Sequence, residues 1–138
     1  MPRQSPKTII EKAKRYLDSE DHRVKLNIFL QKFSECEVYT RPHLEEYYKE
    51  DGRKPEDISL NRDDILKAFG EDGIYFKDNK LITRIFGESD KKGESSYRWL
   101  RNKITHSLMH RAICEVCERS EQIVTDIDDF INQIEDQS

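Results

Sequence analysis

Met109, Ile113, Val116, Ser120, Ile123, Ile127, Phe130 and Ile134 recur at alternating four- and three-residue steps. That rhythm places eight positions on one stripe of an α-helix and on neither face of a strand. It predicts one long amphipathic helix that must bury its stripe against other helices. Leu, Ile, Val and Phe make up about 24% of the 138 residues, enough to offset the entropy of ordering the chain around a thin core. The length predicts a single domain spanning residues 1–138.

Upstream, Ser5 and Pro6 have the chemistry of a helix start, and Ile9, Ile10, Ala13, Tyr16 and Leu17 follow at helical spacing, predicting a helix over residues 6–19. A second helix is expected from Asp21 to near Tyr39, with Val24, Ile28, Phe29 and Phe33 on its buried face. Thr40 then caps a short third helix through Leu44, Tyr47 and Tyr48, and residues 50–56 break the pattern as a loop. Asn61 to Phe69 reads as a further short helix stopped by Gly70. Ile74-Tyr75-Phe76 and Leu81 to Phe86 are β-branched and aromatic runs on either side of Lys77-Asp78-Asn79-Lys80, predicting a β-hairpin over residues 73–87. Residues 87–96 read as a polar connector. The fold class expected is therefore mainly α, a helical bundle with an inserted β-hairpin.

No run approaches the roughly 18 apolar residues of a membrane span. The first ten residues lack the apolar block of a secretory signal, and three cysteines (Cys36, Cys114, Cys117) form no disulfide framework. A cytoplasmic protein with no membrane partner is the expectation. The net charge of −4 argues against non-specific coating of nucleic acid. Charge is unevenly spread, however: residues 95–114 hold no Asp or Glu but carry Arg98, Arg101, Lys103 and Arg111 together with His106 and His110. Ordinary solvated helix faces mix the two signs.

On a helix, Arg98, Asn102, His106 and His110 form one polar stripe, while Leu100, Ile104, Leu108 and Ala112 form an apolar one on the other side. Arg101 lies about 140° from His106 on an ideal helix. The two meet in one pocket only through a helix break near Thr105 or Ser107, or through a second protomer. Cleaving RNA without a metal requires a base for the 2′-hydroxyl, an acid for the 5′-oxygen and a cation for the phosphorane charge, chemistry suited to His and Arg.

The string Arg101-Asn102-Lys103-Ile104-Thr105-His106 resembles the Arg-polar-x-x-x-His motif of the HEPN superfamily, over about residues 97–134. The resemblance implies a helical bundle that dimerises through its motif-bearing helices. It also implies metal-independent endoribonuclease activity of the toxin or defence type, with no cofactor and with an antitoxin or other protein as a further partner. Arg101, Asn102 and His106 map onto the catalytic positions. Arg98, Lys103, His110 and Arg111 are expected to bind RNA phosphates. Some toxin members carry a Tyr two positions after the His; here that position is Leu108. The alternative reading is a non-catalytic HEPN-like module that binds nucleotide or protein.

Plainer roles attach to other residues. Trp99 suits core or dimer packing, and Cys114-Glu115-Val116-Cys117 suits two buried thiols better than half of a zinc site. His22 and His43 have no partner in sequence. Asp126, Asp128, Asp129, Glu135 and Asp136 read as a solvated face, not a metal site. The helix from Asn61 with the expected hairpin suggests a winged-helix DNA binder, which Asp63 and Asp64 at the helix start oppose.

Overall fold

A computed structural model describes residues 4–49, 52, 54, 58–87, 95–107 and 109–137. These form seven helices: α1 (Pro6–Asp18), α2 (Glu20–Tyr48), α3 (Arg62–Glu71), α4 (Asn79–Phe86), α5 (Tyr97–Ser107), α6 (His110–Glu118) and α7 (Ser120–Gln137). The described residues contain no strand. The mainly helical bundle is as expected.

The first helix starts as its sequence dictates, with the Ser5 hydroxyl accepting from Thr8 N–H at 3.2 Å and Pro6 at the first turn, where no N–H is required. The second differs from expectation. Instead of ending near Tyr39, α2 runs on for 29 residues through Thr40 and Pro42. Thr40 caps nothing; it is fully buried and donates to the Cys36 carbonyl at 2.6 Å. Pro42 deprives the Val38 carbonyl of its helical donor, and Val38 is 71% exposed, so water substitutes at little cost. The buried face is Leu26, Phe29, Phe33, Cys36, Thr40 and Leu44, whereas Val24 and Ile28 face outward. The expected loop over residues 50–56 lies mostly outside the described residues, as does the connector over residues 88–94.

The expected hairpin is absent: residues 79–86 are α4. Asp78 accepts from Lys80 N–H at 2.9 Å and caps the helix, while Leu81, Ile82, Ile85 and Phe86 share one buried face at helical spacing. Residues 74–76 belong to no helix or strand, and backbone groups of this segment go to glutamine side chains of α7. Gln137 accepts from Tyr75 N–H and donates to the Tyr75 carbonyl, both at 2.8 Å, and Gln133 accepts from Lys77 N–H at 2.9 Å. Two side-chain amides thus replace a β partner. Without a hairpin there is no wing, and the winged-helix reading falls with it.

The long C-terminal stripe is buried as predicted, with Ile113, Val116, Ile123, Ile127, Phe130 and Ile134 at 2% exposure or less. The helix carrying it is not continuous. Arg119 leaves the helical region (φ −110°, ψ 13°) and separates α6 from α7. Its guanidinium is fixed at the corner by the Ser95 carbonyl and Glu115, both at 3.0 Å. Phe130 sits in a ring cluster that ties four parts of the fold together. It stacks on Phe76 at 5.2 Å and meets the edges of Phe69 and Phe86 at 6.0 and 5.5 Å. The acidic residues of α7 are more than a solvated face: Asp126 holds Arg84 at 2.9 Å and the Tyr97 hydroxyl at 2.5 Å, Asp128 holds Lys32 at 2.7 Å, and Glu135 accepts from Tyr39 at 2.6 Å. No helix among the described residues is long and apolar enough to cross a membrane.

Candidate catalytic stripe on helix α5

The basic segment begins at Ser96, whose hydroxyl accepts from Trp99 N–H at 3.2 Å and so starts α5. Tyr97, Leu100 and Ile104 turn into the core. Tyr97 anchors that face through Asp126, and burial together with this hydrogen bond pushes its phenol well above the ordinary range. The apolar stripe continues in Ala112, fully buried on α6; Leu108 lies outside the described residues. Burying this stripe orients the opposite one.

Along the polar side, Arg98 is half-buried and donates through Nη1 to the Leu60 carbonyl at 2.9 Å. Asn102 is half-buried, and His106 and His110 are exposed. Lys103 lies over the Trp99 ring at 5.6 Å, a cation–π contact that gives this Trp a local packing role. Arg111 is exposed on the first turn of α6.

Arg101 is placed by a residue that sequence spacing did not single out. Its guanidinium is ion-paired with Glu37 of α2, lies 5.3 Å from the centre of the Phe33 ring, and donates from Nη1 to the Asn102 side-chain oxygen at 3.1 Å. Glu37, only 14% exposed, also holds Arg41 at 2.9 Å. One carboxylate therefore spans two guanidiniums in a sheltered place, where a charge-assisted contact is stronger than at the open surface. The signal available in sequence was the Glu37/Arg41 pair, one turn apart and beside the buried Phe33 and Thr40.

The helix break lies beyond the motif. α5 runs unbroken through His106 to Ser107, Thr105 donates back to the Arg101 carbonyl at 2.9 Å, and Met109 takes the cap position of α6. The break expected near Thr105 or Ser107 therefore falls too late to fold His106 back towards Arg101. Within one copy, Arg101 is turned to α2 and His106 to solvent. Compared with known protein families, curated proteins and solved structures, the chain matches none.

The cysteines are packing residues. Cys114 approaches the Ile9 carbonyl at 3.8 Å and Cys117 the His22 carbonyl at 3.9 Å, which fastens α6 to the N-terminal helices. No group of three or more His, Cys, Asp or Glu side chains among the described residues is placed to hold a metal ion. His22 pairs with Ser19 and His43 with Asp72, so both have local partners.

Burial, reinforced by Cys114, pushes the Cys117 thiol up to about 11. The native protein keeps this proton after the unfolded chain has lost it, so the contribution to stability is complete below pH ~8.5. It declines as pH rises to about 11. Urea unfolding at pH 8 and pH 10.5 should show the loss, and native Cys117 should resist alkylation at neutral pH. Rapid labelling of the folded chain would contradict the buried assignment.

Proposed function

We propose that this chain is a metal-independent endoribonuclease of HEPN type that works as a homodimer. Arg101, Asn102 and His106 form its catalytic set, and Arg98, Lys103, His110 and Arg111 contact RNA phosphates. The observation that supports the reading best is the arrangement on α5. A sheltered Arg101 is fixed by Glu37 with Asn102 at its side, and an exposed His106 follows on the same helix, in a segment free of carboxylates. A fixed guanidinium is suited to developing phosphorane charge, because it needs no reorganisation as that charge appears. His106 transfers a proton, and Asn102 holds a phosphate oxygen or the imidazole.

Because the two side chains diverge in one copy, the reacting phosphate needs the second. Two-fold pairing around α5 and α6 brings Arg101 of one copy to His106 of the other and gathers both basic segments in one cleft. A toxin or defence effector acting on cytoplasmic RNA, restrained by an antitoxin-like partner, is the biological role consistent with this chemistry. A non-catalytic nucleotide- or protein-binding module is the second reading. It is favoured by the same Glu37 carboxylate, which already occupies Arg101.

Cleavage of single-stranded RNA in the presence of EDTA decides between them: activity supports the enzyme, and binding without products supports the module. For about four phosphate contacts, RNA affinity should fall roughly 50-fold between 50 and 200 mM salt. That dependence is expected in spite of the net charge of −4. Salt-insensitive binding would remove the phosphate roles assigned to the basic residues.

A further inference from the structure

Away from His106, the first turn of α5, the segment leading into α3 and the end of α4 enclose an open cleft of about 540 Å³. Its size is that of an ordinary small-ligand site. Two guanidiniums line it, Arg98 and Arg62, together with Ser59, Asn61 and the carboxylate of Asp63, and the buried Phe86 lies behind. Arg98 is pinned by one bond to the Leu60 carbonyl, and no carboxylate among the described residues pairs with it. Arg62 is pinned through Nε to the Thr83 hydroxyl at 2.6 Å and spends Nη1 on Asp63 at 2.8 Å. The Asp63 side chain is 75% exposed, so that pairing is screened by water and easily displaced. Arg98 is thus held through Nη1 alone, and Arg62 is held through Nε alone once Asp63 is displaced, which leaves each guanidinium with further donors unspent. Such a group loses little rotamer entropy on binding, and its planar fork matches a phosphate.

We infer that this cleft binds a phosphate group, supplied by an RNA strand that lies along α5. Arg98 precedes His106 by just over two helical turns, about 12 Å along the axis and about 80° around it. A short single-stranded stretch bridges that span, so a strand reacting at His106 places another of its phosphates, internal or terminal, between Arg98 and Arg62. The inference deepens the ribonuclease reading and depends on it only for the source of the phosphate.

The test uses the full chain carrying His106→Ala, so that RNA is not consumed. Binding of a short oligoribonucleotide is measured with a 5′-phosphate and with a 5′-hydroxyl, and inorganic phosphate is titrated separately while the amide signals of Leu60 and Arg98 are followed. Arg98→Gln and Arg62→Gln should each weaken oligonucleotide binding about tenfold, the scale of a lost charged hydrogen bond, and inorganic phosphate should shift the Leu60 and Arg98 signals. Tighter binding of the 5′-phosphorylated strand identifies a terminal phosphate as the ligand; equal binding identifies an internal one. Unchanged affinity in both variants, or no response to inorganic phosphate, overturns the inference and leaves the arginines as tethers of Leu60 and Thr83. If melting shows that Arg98→Gln fails to fold, Arg62→Gln carries the decision, since its partners are exposed. Arginine-dependent binding without cleavage by the parent chain would sink the ribonuclease reading and keep the cleft. Cleavage without arginine dependence would do the reverse.

Discussion

Replacing His106 with Ala is expected to lower the proposed RNA cleavage by roughly 10²- to 10⁴-fold, the range for loss of a general acid or base, with the fold intact. The side chain is exposed, so a folding defect is not expected to obscure the result. Arg101→Ala costs a similar factor. Arg101→Lys restores little, because an ammonium cannot span the Glu37 carboxylate, the Phe33 ring and a phosphate as a planar fork does. The proposed reaction is expected to leave products ending in a 2′,3′-cyclic phosphate and to leave DNA uncut. The divergence of the two side chains within one copy makes mixing informative. If each site takes Arg101 from one protomer and His106 from the other, equal mixing of the two inactive variants yields about a quarter of wild-type activity: half the dimers are mixed, and each of those has one intact site of two. No recovery on mixing would place both residues in one copy's site and contradict the composite arrangement. Full activity in His106→Ala would end the catalytic proposal.

Phe130→Ala destabilises the fold by about 3–5 kcal/mol, the range for emptying a large aromatic site. Phe130 is fully buried and touches rings from α3, α4 and the segment before α4 at Phe76, so no single element can move in to fill the space. In a domain of this size the loss lowers the melting temperature by roughly 10–20 °C. Val38→Ala, at an exposed position on α2, stays within about 0.5 kcal/mol and serves as the control. Thermal and urea unfolding followed by circular dichroism measure both. A loss below about 1 kcal/mol at Phe130 would show that the aromatic cluster is not the centre of the core.

What could be read from sequence was whatever obeys a local rule. Ser5 with Pro6 starts α1, Asn61 starts α3, and the Ile113-to-Ile134 stripe is buried, because caps and periodicity act within a few residues. Three features escaped for the opposite reason. α2 passes through Pro42 because its loose carbonyl lies beside an exposed Val38, a fact of burial and not of spacing. Residues 81–86 carry strand-like side chains, yet Asp78 caps them into a helix whose apolar face the core accepts. The break at Arg119 preserves the four- and three-residue rhythm on both sides, so periodicity cannot register it. At the candidate site, Arg101, Asn102 and His106 were visible as a string, whereas Glu37 stands 64 residues earlier and only packing of α2 against α5 brings it to Arg101.

The glutamine clamp has a consequence for how the protein is made. Gln133 and Gln137, which hold residues 75–77, are on α7, which leaves the ribosome after α5 and α6, and so are Asp126 and Phe130, which fasten α4, α5 and the aromatic cluster. The arginine–histidine string is translated before any of them. A nascent chain therefore exposes its basic stripe while the core behind it is still open, and the helix that closes that core arrives afterwards. The stripe therefore gains its rigid backing only once α7 has been made and has docked, so any activity that needs that backing is acquired after the stripe itself has been translated.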